Sequence, residues 1–189
     1  MHKIIEFPAK TIYENFNYEV GYPNNVFKKK FDNYFFLASE FVDCNDDFAI
    51  FSQKLHNLIT ATKEDIELGP IENKSSYWKA FYIKYNESNE GSYEDCLTYT
   101  DDTTLELRDC PFPVVIIPKS VNVEWSIYGE FVGTLSVVGV NSCLKDLLFS
   151  TFADLIILDR TELFELYQSA YKTENGEFNS LCENYGFSS

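Results

Sequence analysis

The apolar residues of this chain come in short runs, and that spacing points to a fold centred on a sheet. The longest runs, such as residues 34–38, 114–117 and 155–158, are strand-sized, far short of the roughly 20 apolar residues that a membrane-crossing helix needs. Residues 31–42 read as a mostly apolar strand and 78–85 as a largely buried one. Residues 123–128 and 133–140 read as two strands of a hairpin turning through 129–132, with Val123, Trp125 and Ile127 on one side and Glu124, Ser126 and Tyr128 facing outward. Residues 155–158 have the unbroken apolar character of a strand covered on both faces. Residues 86–95 read as a polar loop, followed by short strands at 96–99 and 105–107 around a turn at Asp101-Asp102.

Helical periodicity separates these strands. Asn45 is a suitable N-cap, Asp46 and Asp47 suit the positive end of a helix dipole, and Phe48, Phe51, Leu55, Leu58 and Ile59 fall on one face. Gly69-Pro70 interrupts the segment that follows. Asn141 or Ser142 opens a second helix, with Leu144, Leu147, Leu148 and Phe152 inward. Asp159 followed by Glu162 resembles a capping box and opens a third, with Leu163, Leu166, Tyr167, Ala170 and Tyr171 on one stripe. Phe178, Leu181 and Tyr185 give the tail a weak helical pattern. The expected class is α+β, with a mixed, mostly antiparallel central sheet and helices packed on it. The expected organisation is a single domain over 1–189, with 1–30 a peripheral N-terminal segment and 173–189 a peripheral tail. The 17 Phe and 13 Tyr argue against an acidic disordered chain, since such chains are poor in aromatics.

Charge narrows the function. The net charge is −15. Residues 1–31 hold five lysines against three glutamates, so acid dominates from Asp32 onward. A field of that sign attracts cationic partners and repels nucleic acid, anionic lipid and phosphorylated metabolites. Lys28-Lys29-Lys30 lacks the supporting arginines of a nucleic-acid patch and reads as a solvated edge. The five cysteines (Cys44, Cys96, Cys110, Cys143, Cys182) match neither a disulfide framework nor a zinc site, and fit free thiols in a reducing cytoplasm. The first residues, interrupted by Glu6, do not form a secretory signal core.

Reactive motifs do not accompany the charge. The only histidines are His2 and His56, the latter at the edge of its helix stripe, so a histidine base beside a nucleophile is poorly provided for. G-x-S-x-G, G-x-G-x-x-G and Walker A patterns do not occur, and arginine is limited to Arg108 and Arg160. Carboxylate pairs such as Glu94-Asp95, Asp101-Asp102 and Glu124 with Glu130 are compatible with hydrolysis, but in so acidic a chain such pairs arise by chance. The expectation is a binding protein that is not an enzyme, with no cofactor and no metal.

The acid gathers at 86–109 and 146–189, whereas 110–145 is balanced. Tyr93, Tyr99 and Tyr128 lie near Glu94, Asp95, Asp101, Asp102, Glu124 and Glu130 in sequence. Aromatic anchors ringed by carboxylates suit a basic protein surface, where charge speeds encounter and rings supply buried contacts. In size, charge and the strand Val123-Glu124-Trp125-Ser126-Ile127-Tyr128-Gly129-Glu130, with its Trp-x-Ile-x-Gly pattern, the chain resembles immunity proteins of bacterial toxin–immunity systems. That resemblance implies a cytoplasmic protein that neutralises a cognate toxin domain, a nuclease for example, by forming a stoichiometric complex. The alternatives are a DNA mimic that blocks a nucleic-acid enzyme and a hydrolase relying on carboxylates alone.

Overall fold

A computed structural model of the chain describes residues 3–5, 10–17, 19–38, 46–71, 78–89, 91–102, 104–130, 135–157, 159–172 and 175–187. Among the described residues eight strands form one sheet: β1 (Lys3–Ile5), β2 (Asn33–Leu37), β3 (Ile66–Pro70), β4 (Ala80–Ile83), β5 (Val114–Pro118), β6 (Trp125–Gly129), β7 (Ser136–Val140) and β8 (Ile156–Ile157). Their spatial order is β1-β4-β3-β5-β6-β7-β2-β8. The class is α+β with helices packed on the sheet, as expected, and among the described residues every strand pairing is antiparallel. Strands β5, β6 and β7 form a meander, with Ile116 opposite Ile127 and Ile127 opposite Val138.

Both faces of this sheet are covered. Leu37, Leu68, Phe81, Ile116, Trp125, Ile127 and Val138 face one core cluster, with Phe51, Leu55 and Leu58 from α2 (Asp46–Thr62), Cys96 and Leu97 from α3 (Ser92–Leu97) and Leu148 from α4 (Lys145–Phe152). The alternate residues Phe36, Ala80, Val115, Ile117, Tyr128 and Val137 face a second cluster. Ile12 of α1 (Lys10–Asn15), Leu163 and Tyr167 of α5 (Arg160–Tyr171), and Phe178 and Leu181 of α6 (Asn175–Asn184) complete it. Period-2 alternation therefore sends each strand's residues into two different cores, and strands that read as hydrophobic throughout are those buried on both sides.

The terminal segments expected at the periphery belong to this second layer. Ile12, Phe16, Val26 and Phe27 near the N-terminus, and Phe178, Leu181, Cys182 and Tyr185 near the C-terminus, are all buried. The chain doubles back between them: Asn17 N donates to Val26 O at 2.8 Å and Lys28 N to Asn15 O at 2.9 Å. The lysine triplet is exposed, yet two of its side chains hold this loop down, Lys28 on the Tyr13 carbonyl and Lys29 on the Val123 carbonyl. Full burial of each Phe or Leu contributes about 1.5–3 kcal/mol relative to exposure, enough to keep such segments on the sheet.

Local expectations fare unevenly. Asp159 caps α5 as anticipated, its Oδ1 accepting from Thr161 N at 2.7 Å and Glu162 N at 2.8 Å. The Phe51, Leu55, Leu58 and Ile59 stripe of α2 is buried, whereas its expected cap Asn45 lies outside the described residues. The expected strand at 96–99 is instead the end of helix α3 and the turn after it, and 107–109 form a 3-10 turn. The 86–95 stretch is likewise not a loop to its end, because α3 begins at Ser92.

Candidate functional site

Helix α3 shows why the acid of this region reaches solvent. Tyr93, Cys96 and Leu97 occupy one side, spaced three and four apart, and are buried; Glu94 and Asp95 occupy the other and are exposed. Before the helix, Ser92 Oγ accepts from Asn89 N at 2.8 Å and Asn89 Oδ1 from Gly91 N at 2.9 Å. After it, Thr98 N and Thr98 Oγ1 both donate to Glu94 O. Tyr99 is half-buried, its ring edge-on to Phe81 at 5.7 Å and its hydroxyl 3.3 Å from Asp101 Oδ2. Burial, then the Asp101 charge, pushes the Tyr99 phenol up. The chain then turns, with Asp101 paired to Thr104 and Thr100 Oγ1 donating to Thr104 O at 2.7 Å, which leaves Asp101 and Asp102 in solvent.

Exposed apolar side chains accompany these acids. Leu105, just past the turn, is 50 % exposed and Ile50 of α2 is 43 % exposed. A groove of about 380 Å³ runs between α2 and α3, lined by Ala49, Ile50, Ser52, Gln53, Gly91 and Glu94. Of the expected acids Glu94 lines this groove beside Ile50; Asp95 on the same helix, and Asp101, Asp102, Leu105 and part of Tyr99 along the chain that follows, also reach solvent. Ile50 and Leu105 were not singled out by sequence reasoning. The signal for Ile50 was its place off the Phe51, Leu55, Leu58 and Ile59 stripe; Leu105 had none, because exposure in a loop leaves no periodicity.

The other expected anchors lie elsewhere. Tyr93 is 2 % exposed and packs against Phe51 at 5.4 Å, so its ring supports α3 from beneath. Tyr128 is 1 % exposed, because the face of β6 taken as outward is covered by the second helical layer. Its hydroxyl donates to Glu130 Oε1 at 2.8 Å. Glu130 also accepts from Tyr22 N at 3.2 Å and, through Oε2, from Tyr171 O–H at 2.9 Å. Half-buried and held by three donors, Glu130 fastens the N-terminal loop and α5 to the end of β6. Glu124 precedes β6 at its opposite end, so it does not form a catalytic pair with Glu130. Instead it accepts from Asn141 Nδ2 at 2.7 Å and from the Cys143 thiol at 3.4 Å. Nearby Glu64 accepts from Trp125 Nε1 at 2.8 Å; burial raises its pKa, the indole bond lowers it, and Glu124 adds to the rise.

The remaining chemistry is sparse. Cys96 and Cys182 are buried free thiols, Cys110 is buried and Cys143 is exposed; Cys44 lies outside the described residues. His56 is half-buried with Nδ1 3.3 Å from Ser88 Oγ, which itself donates to the Tyr85 carbonyl. Among the described residues, no three His, Cys, Asp or Glu side chains are grouped to hold a metal ion, and no helix is long and apolar enough to cross a membrane. What the fold and this surface define is an antiparallel α+β protein, layered on both faces, with an acidic, partly apolar patch on α2 and α3. No family model, curated protein or solved structure matches the chain.

Proposed function

We propose that the protein acts by stoichiometric binding of a basic protein, in the manner of an immunity protein that neutralises a cognate toxin domain such as a nuclease. The observation that supports this reading is the groove between α2 and α3, where exposed Glu94 stands beside exposed Ile50, with the exposed Asp95, Asp101, Asp102 and Leu105 on the same helix and the chain after it. Charge of this sign accelerates encounter with a cationic surface, and the accessible apolar groups supply desolvated contact once the partners meet. The interleaving of apolar groups favours a protein partner over DNA mimicry, which calls for carboxylates in phosphate-like rows. Of the residues expected to touch the partner, Glu94, Asp95, Asp101 and Asp102 are exposed and Tyr99 is half-buried. Tyr93 and Tyr128 support the fold instead, Glu130 ties its layers together, and Glu124 lies at the β6 end.

The test is calorimetric titration with the product of an adjacent toxin gene at low and high salt. A one-to-one complex is expected, weakened about tenfold or more by Asp101→Lys with Asp102→Lys, with a smaller salt dependence in the variant. Failure to form a complex, or a complex indifferent to these changes and to Ile50→Ala, would reject the assignment.

A further inference from the structure

The sheet ends at β8, and among the described residues no strand pairs with its outer edge. This edge is short, being the two residues Ile156 and Ile157 held to Leu37 and Phe36 of β2. Helix α5 follows directly and overhangs it. Leu163 and Tyr167 point into the second core, while the neighbouring stripe of Glu162, Glu165, Leu166 and Ser169 lies toward the sheet edge. Between stripe and edge is a groove of about 430 Å³, floored by Ala38, Ile156 and Ile157 and walled by Leu166, with Glu162 and Glu165 on its rim. Glu162 and Glu165 are exposed, and Ile156 and Leu166 are half-buried.

A strand edge offers backbone donors and acceptors in fixed register. A groove beside it accepts alternate side chains of whatever strand is added there. We infer that the β8 edge and the α5 overhang form a second docking surface, for an extended segment of a cationic partner. Such a segment would add as a ninth strand, place an apolar side chain between Ile157 and Leu166, and direct basic side chains to Glu162 and Glu165. A second copy of this chain fits poorly, because each copy would bring the same two glutamates and a net charge of −15 to the contact. The helical wall of this surface, α5, belongs to the layer opposite α2 and α3, so the surface stands or falls independently of the function proposed above.

The probe is the blocked hexapeptide Lys-Ser-Val-Ser-Lys-Ser, which as a strand puts both lysines and the valine on one face, titrated into the isotopically labelled protein and followed by amide chemical shifts. The expected result is saturable binding, with the largest shifts at Ile156, Ile157 and Glu162 through Ser169. A several-fold loss of affinity is expected in Glu162→Gln with Glu165→Gln, and no binding of the analogue in which glutamate replaces both lysines. The Asp101→Asn, Asp102→Asn variant, altered only on the α3 side, is expected to bind the peptide as the parent does. Shifts confined to α3, an affinity unchanged by the α5 substitutions, or sedimentation showing that this edge joins two copies would each overturn the inference.

Discussion

Tyr22 and Glu130 show how differently two polar side chains at one spot contribute. The Tyr22 hydroxyl is buried and has no hydrogen-bond partner among the described residues, although its ring sits edge-on to Tyr128, Tyr171 and Tyr185. Glu130 accepts from three donors, Tyr22 N and the Tyr128 and Tyr171 hydroxyls. Removing an unsatisfied hydroxyl forfeits little, whereas removing a shared acceptor strands several donors at once. Urea unfolding of Tyr22→Phe is therefore expected to show unchanged or slightly higher stability, while Glu130→Ala loses about 2 kcal/mol, kept to that level by water reaching a half-buried site. Equal losses in both variants would mean that the Tyr22 hydroxyl has a partner after all. Gly21 belongs to the same arrangement, since a Cβ there would meet Glu130 Oε1 at 2.7 Å.

At the scale of elements, the close approach of the 28–31 segment to β7 depends on one missing side chain. A Cβ on Gly139 would stand 2.3 Å from Phe31 Cδ2, and Phe31 is itself wedged against Phe27 and Tyr34. Gly139→Ala is expected to lower stability by about 1–3 kcal/mol, the usual cost of overpacking, and Gly139→Ala with Phe31→Leu to recover part of it in thermal denaturation. No recovery would place the strain elsewhere. Much of the element order was legible from the chain, for physical reasons that differ by element. The α2 and α5 stripes are long enough for a 3.6 period to stand out, and Asp159 announces its helix. Helix α3 was not legible, because six residues hold too few turns to show a period and Tyr-x-x-Cys-Leu also fits a strand. Strand β6 was found, but its second face was misread: Ser126 and Tyr128 look outward only if nothing covers them, and what covers them comes from both chain ends. The same error moved Tyr128 and Glu130 from a supposed binding surface into the seam between layers.

The whole molecule is a sheet held between two layers, and its second layer is bound together by phenols. Which acids gather around apolar groups could not be read from the chain, because that grouping depends on α2 meeting α3 across 30 or more residues of sequence. The phenols make a measurable claim about how the layers hold together. Burial, reinforced by neighbouring phenols and by Glu130, holds the pKa values of Tyr22, Tyr128, Tyr171 and Tyr185 above that of a free tyrosine. The hydrogen bond to Asp65 pushes Tyr82 up to about 12. In the unfolded chain all of them ionise near pH ~10. A raised folded-state pKa contributes stability that is complete below the unfolded value and is lost as pH climbs toward the folded one. Stability is thus expected to be flat with respect to these groups up to about pH 10, then to fall by about 1.4 kcal/mol per pH unit for each phenol still protonated in the folded state. With four or more acting together, the protein should unfold cooperatively in alkali. Phenolate absorbance and far-ultraviolet circular dichroism, followed together through an alkaline titration, read this directly. The exposed tyrosines ionise first with the dichroism unchanged, and the remaining phenolate signal rises only as helix is lost. If every tyrosine titrated near pH ~10 with the secondary structure intact, the segments from the two chain ends would not be packed on the sheet, and the assignment of Tyr128 and Glu130 to the seam would fail with them.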